Sequence, residues 1–175
     1  MPNWCSNRIV IIGEAEVLSV LRGTVSSDES HFDFDKIVPG RPGEGWYEWS
    51  IENWGTKWNA YDVELDQGDG ELAFTFDTAW GPCGPVVAAL AAQFPTLRII
   101  HMYAESGMVF GGIVRYEGGE AVETEHAEDS KSVASLSEWH QMAIGYDEYD
   151  IDDAEVEDEL FDEEEDEDVS TGGAE

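Results

Sequence analysis

Two cysteines, four histidines and 40 carboxylates are the side chains in this sequence that could do chemistry, and their spacing argues against most of it. Cys5 and Cys83 are too sparse a pair for a disulfide framework and match no metal-ligand spacing. A thiol nucleophile needs a nearby base or positive field to become a thiolate. Cys5 has no basic neighbour in the chain closer than Arg8, so it reads as a structural cysteine on a buried strand. His31, His101, His126 and His140 are scattered, and no HExxH or CxxC pattern gathers ligands. They read as surface or packed histidines, and a site of His101 with Cys5 and Cys83 has no spacing to support it. Ser6 and Ser106 lack the GxSxG setting of an activated serine. Gly40-Arg41-Pro42-Gly43 and Gly111-Gly112 match neither a phosphate-binding loop nor a dinucleotide fingerprint. No catalytic residue, metal site or cofactor is expected, and the protein is read as a non-enzyme.

Two stretches remain as binding candidates. The first is Asn53-Trp54-Gly55-Thr56-Lys57-Trp58, where Asn53, Trp54, Lys57 and Trp58 could stack a base or grip a peptide. The plainer alternative is that these tryptophans lock a long loop onto the body, since Trp is usually well buried. The second is an acidic run carrying Asp147, Glu148, Asp150, Asp152, Asp153, Glu155, Glu157, Asp158, Glu159, Asp162, Glu163, Glu164 and Glu165. Its Asp150–Glu155 segment lacks the glycine and ligand rhythm of a calcium loop.

The elements that must position these groups can be read from periodicity. Arg8 to Ile12 is β-branched and reads as a central strand, followed by a helix through Val17, Leu18, Leu21 and Val25. Residues 26–59 are irregular and Gly-, Pro- and Trp-rich, a long loop whose aromatics should fold it down. Tyr61, Val63 and Leu65, then Leu72, Phe74 and Phe76, alternate with polar residues across a Gln67–Gly70 turn and predict an antiparallel hairpin. Pro82 and Pro85 open a chargeless helix that Pro95 stops. Strands at 97–103 and 108–116 follow, and Gly118-Gly119 is read as the close of the core. The order β-α-loop-β-β-α-β-β predicts an α+β, ferredoxin-like split β-α-β sandwich with one extra strand. The chain divides into a domain over 1–119, an extension over 120–146 with a helix at 130–144, and an acidic tail over 147–175. The tail carries too little apolar surface to offset its ordering entropy and is expected to be disordered.

Charge sets the partner class. Eight basic residues against 40 acids leave a net charge of -32. All eight bases lie before position 132, so residues 1–146 carry -15 and the remainder -17. Both parts repel DNA, RNA and anionic membranes, so neither direct nucleic-acid binding nor membrane association is expected. Met1-Pro2-Asn3-Trp4 has no signal-peptide character and no run can serve as a membrane helix, so a cytoplasmic location is expected.

Four stretches resemble the YubB-type ferredoxin-like domain over roughly residues 1–117. They are Asn3-Trp4-Cys5-Ser6-Asn7-Arg8, Phe32-Asp33-Phe34-Asp35-Lys36-Ile37-Val38-Pro39, Glu52-Asn53-Trp54-Gly55-Thr56-Lys57-Trp58-Asn59-Ala60 and Thr78-Ala79-Trp80-Gly81-Pro82. The resemblance implies a ferredoxin-like fold and an origin on phages, plasmids or bacterial genomes. It supplies no catalytic residues and does not account for the acidic tail. The resulting expectation is a nucleic-acid mimic that binds, and inhibits, a basic host complex of the restriction or CRISPR type. The alternative is a small adaptor whose tail serves solubility or salt adaptation.

Overall fold

The computed structural model describes residues 3–145; every tail carboxylate from Asp147 to Glu165 named above lies outside the described residues. At its centre runs β1 (Trp4–Ile12), whose alternate residues Cys5, Asn7, Ile9 and Ile11 are buried. Strands β2 (Tyr61–Gly68), β3 (Glu71–Ala79), β4 (Arg98–Glu105), β5 (Phe110–Glu117) and β6 (Glu120–Ala127) complete one sheet in the order β2-β3-β1-β4-β5-β6. Every pairing is antiparallel. The first four positions, β2-β3-β1-β4, are the ferredoxin-like core, and β5 and β6 extend it on one side.

Helices α1 (Ala15–Val25) and α4 (Gly84–Gln93) share the core with one face of the sheet. Leu18, Leu21 and Val25 of α1 and Val86, Val87 and Leu90 of α4 join Ile9, Ile11, Leu72, Phe74 and Ile99 in one buried cluster. Period-2 apolar faces on the strands and a period-3.6 stripe on α1 dictate that layering.

The long loop contains two helices that periodicity did not announce, α2 (Phe34–Ile37) and α3 (Trp46–Trp54). It does fold down. Phe32 stacks on Phe76 at 5.3 Å, and Phe34 meets Trp54 edge-on at 5.7 Å. Trp54, fully buried, donates from Nε1 to Val38 O at 3.1 Å. Asn59 closes the segment: its Oδ1 accepts from Phe34 N at 2.9 Å and its Nδ2 donates to Asp33 Oδ1 at 2.7 Å.

Two sequence expectations require correction. Gly118-Gly119 does not close the core: at φ +63° and +87° it is the hairpin turn into β6, which pairs with β5 along its length. Seven of the eight β6 residues are exposed, so this edge strand has no apolar alternation to betray it. The helix expected over 130–144 is two, α5 (Ser130–Leu136) and α6 (Glu138–Ile144), broken at Ser137. Ser137 prefers the cap: its Oγ accepts from the His140 N–H and bonds the His140 ring at 2.8 Å.

Gly111 and Gly112 act as close-approach glycines. A Cβ on Gly111 would stand 2.9 Å from Val133 Cγ1 and 3.2 Å from His140 Cδ2, so its absence seats α5 and α6. A Cβ on Gly112 would collide with the Tyr103 ring. His140 Nε2 faces Gly112 O at 3.0 Å and must carry the proton there, which leaves Nδ1 to accept from Ser137.

Truncating Trp54 to Ala should cost about 3–5 kcal/mol, read as a lower urea midpoint. Gly111→Ala should instead act locally, speeding amide exchange in α5 and α6 while the β1–β3–β4 amides keep their protection.

Candidate functional site

A buried polar knot holds the sheet to the turn that follows β3. Asn7 Nδ2 donates to Cys5 O at 2.9 Å and to Thr78 Oγ1 at 2.8 Å. Asn7 Oδ1 accepts from His101 Nε2 at 3.0 Å and faces Cys83 Sγ at 3.9 Å. Thr78 Oγ1 passes its own proton to Gly81 O at 2.7 Å, and Thr56 Oγ1 donates to Ala79 O at 2.9 Å. Asn7, Thr56, Thr78 and His101 are all fully buried, so each bond is formed where water cannot substitute for it.

The knot does bring His101 to the cysteines, but as a structural group. Burial pushes His101 down to about 3, so its imidazole is neutral. Its Nε2 proton is committed to Asn7, and Nδ1 is buried without a partner. Burial also pushes the Cys5 thiol up to about 12 and raises Cys83 further in the same direction. Neither is a thiolate near neutrality. Among the described residues no three His, Cys, Asp or Glu side chains gather to hold a metal ion. His31 stands on the surface-side loop, and His126 lies on β6 with Nδ1 at 3.2 Å from Tyr103 Oη.

The Trp-rich candidate segment divides in two. Asn53 Nδ2 donates to Trp49 O at 2.9 Å and Trp54 is core, so both lock the loop. Gly55 then turns the chain at φ +78°, tight against Pro82 and Pro85: a Cβ there would lie 2.7 Å from Pro82 O. Beyond it, Lys57 and Trp58 join two rings from elsewhere in the chain. Lys57 Nζ sits 4.5 Å from the Trp58 ring centre, 5.1 Å from Trp80 and 6.0 Å from Tyr47. Trp80 is 45% exposed and Tyr47 40%, so both rings still face solvent. Trp80 is also held at φ +66°, a left-handed conformation that costs a bulky residue about 1–3 kcal/mol.

What pins Trp80 there is the knot. Its own N–H donates to Asn3 O at 2.9 Å, and the flanking Ala79 and Gly81 carbonyls accept from Thr56 and Thr78. Tyr47 and Trp80 were not among the candidates read from sequence, because they reach the site from α3 and the β3–α4 turn. The Thr78-Ala79-Trp80-Gly81-Pro82 word was the nearest signal, and it carries no periodicity.

The sheet order and the split helices define a ferredoxin-like protein. A family model described as "Ferredoxin-like domain in Api92-like protein" matches residues 53–143, just over half of the chain. The chain belongs to that family. The match runs through β6 and α5 into α6. The chain is 40% identical over 80 residues to the uncharacterized protein YubB of Escherichia coli (strain K12), an alignment covering 44% of this chain and 54% of YubB. It therefore spans about half the length of that curated relative. The crystal structure of api92 from Yersinia pseudotuberculosis has the same fold, with a TM-score of 0.58 at 11% identity, covering 74% of this chain and 99% of that one.

Two outcomes follow from the knot. Thiol reagents at about pH 8 should leave Cys5 and Cys83 unmodified in the folded protein and label both after denaturation. For His101, the folded value of about 3 lies below the ordinary 6.5, so the unfolded chain takes up a proton that the folded chain refuses. The stability of neutral His101 is thus lost as pH falls through that window. In His101→Gln, which keeps a donor for Asn7, the decline in melting temperature between about pH 6.5 and pH 4 should be shallower than in the wild type.

Proposed function

We propose that this protein is a non-catalytic binding protein whose acidic surface engages a basic, nucleic-acid-handling partner, occupying the place of the polyanion. The observation that carries this reading is the state of its carboxylates. The folded part carries 23 acids against eight bases. Among the described residues only Arg115, of the Lys and Arg side chains, forms ion pairs, with Glu123 and Glu125 at 2.9 Å each. Of the other acids among the described residues none lies within 4.0 Å of a Lys or Arg nitrogen, and those at the surface are open to a partner's cations, whereas Glu105 is buried on the Gly107 and Met108 N–H groups.

Acids stand along both edges of the sheet, those held by Arg115 and His126 among them. Glu64 and Asp66 of β2 lie on one face with Asp69 and Glu71 beside them, and Glu117, Glu120, Glu123, Glu125 and Glu128 line the β6 edge. Alternate strand residues stand about 7 Å apart, roughly twice the ~3.4 Å charge spacing of one DNA strand. The body offers a sparser array than a duplex, to which the 17 acids of residues 147–175 add. Both thiols and the His101 ring are buried and neutral, which favours binding over turnover.

Competition tests the reading. A restriction- or CRISPR-type complex held by the full chain at about 50 mM salt should be released by about 200 mM, and by duplex DNA. A chain carrying Glu64→Gln, Asp66→Asn and Glu71→Gln, and one ending at residue 146, should each show a shallower salt dependence. Binding that ignores salt, DNA and both variants would remove the mimic and leave the adaptor alternative.

A further inference from the structure

An ammonium in this protein has 40 carboxylates to choose from, yet Lys57 has none within 4.0 Å among the described residues. Its Nζ lies instead among three aromatic rings. Ring quadrupoles attract a cation over their faces, and a cage of several rings is the arrangement that recognises lysine-type and quaternary ammonium groups. We propose that Tyr47, Trp58 and Trp80 form a seat for an ammonium side chain of the basic partner, with Lys57 as its intramolecular stand-in.

Three features support a seat over a simple latch. The rings come from α3, the α3–β2 connection and the β3–α4 turn, three segments that the close Gly55–Pro82 approach and the Thr56 and Thr78 bonds hold together. Two of the rings, Trp80 and Tyr47, remain partly exposed, so a group from outside can reach them. Trp80 is held at φ +66° by the buried bonds on either side of it, and in that conformation its ring lies 5.1 Å from the Lys57 ammonium. Arg41 provides the contrast. Its guanidinium covers Trp46 at 4.7 Å and Trp54 at 5.5 Å, and Trp54 is fully buried, so that pair closes the core. Lys57 sits on a flexible stem and can swing into water, vacating the seat for an incoming cation whose approach the net charge of -32 favours.

The choice of a protein side chain as occupant rests on the proposed basic partner; the seat itself does not. Small probes therefore separate the two. In the full chain, the Lys57 ε-methylene signals should lie upfield from ring currents and move toward ordinary values as tetramethylammonium chloride is added. Sodium chloride at equal ionic strength should not move them. Lys57→Gln, or Lys57→Met should the first variant not fold, should bind tetramethylammonium about 5-fold tighter than the wild type by tryptophan fluorescence. Adding Trp80→Gly, which also relieves the positive φ, should abolish that binding while the fold persists. Equal affinity in wild type and both Lys57 variants, or binding that survives loss of Trp80, would overturn the seat. Glu64→Gln, Asp66→Asn and Glu71→Gln should leave probe binding intact, so failure of the mimic and failure of the seat give different patterns.

Discussion

The amide of Asn7 is the interaction on which the other features depend. A single primary amide has two donors and one oxygen, and here all are used: on Cys5 O, Thr78 Oγ1 and His101 Nε2, with the Cys83 thiol alongside. Those partners belong to β1, β3, β4 and the entry to α4. A buried amide so placed is unforgiving, because losing any partner leaves a desolvated polar atom. It fixes which strands lie next to β1 more narrowly than apolar packing can. Apolar residues tolerate repacking, whereas hydrogen-bond geometry does not.

From that knot the geometry propagates outward. Thr78 receives the amide and hands its proton to Gly81; Thr56 holds Ala79. Between those two anchored carbonyls Trp80 has little freedom, and its strained backbone is held by bonds that are themselves buried. The surface aromatic group is thus an extension of the interior. It is more rigid than a loop of exposed tryptophans would otherwise be, and rigidity is what lets rings from three segments converge on one nitrogen.

Much of this was legible before the structure. The β1 run, the β2–β3 hairpin and α4 with its opening prolines all carry strong local patterns, and they gave the ferredoxin-like order. β6 was not legible, because EAVETEHA exposes both faces and its charged residues discharge a task invisible to periodicity: blunting an edge. α3 was hidden by WYEWSIENW, in which tryptophans inside and outside look alike. The same ambiguity hid half of the aromatic site. Trp54 and Trp58 are four residues apart and chemically identical, yet one is core and the other faces a lysine. Nothing short of the tertiary contacts distinguishes them.

The acidic edges carry a last consequence. Among the described residues no strand pairs with the outward sides of β2 and β6, and carboxylates stand guard over their backbone donors and acceptors. That guard is a matter of ionisation. With those charges removed, mutual repulsion falls away while the outward backbone groups remain. Two copies then meet as bare ribbon margins, free to continue one sheet into the next. The charge that governs what the protein attracts at neutral pH is therefore also what keeps each molecule separate from its own kind.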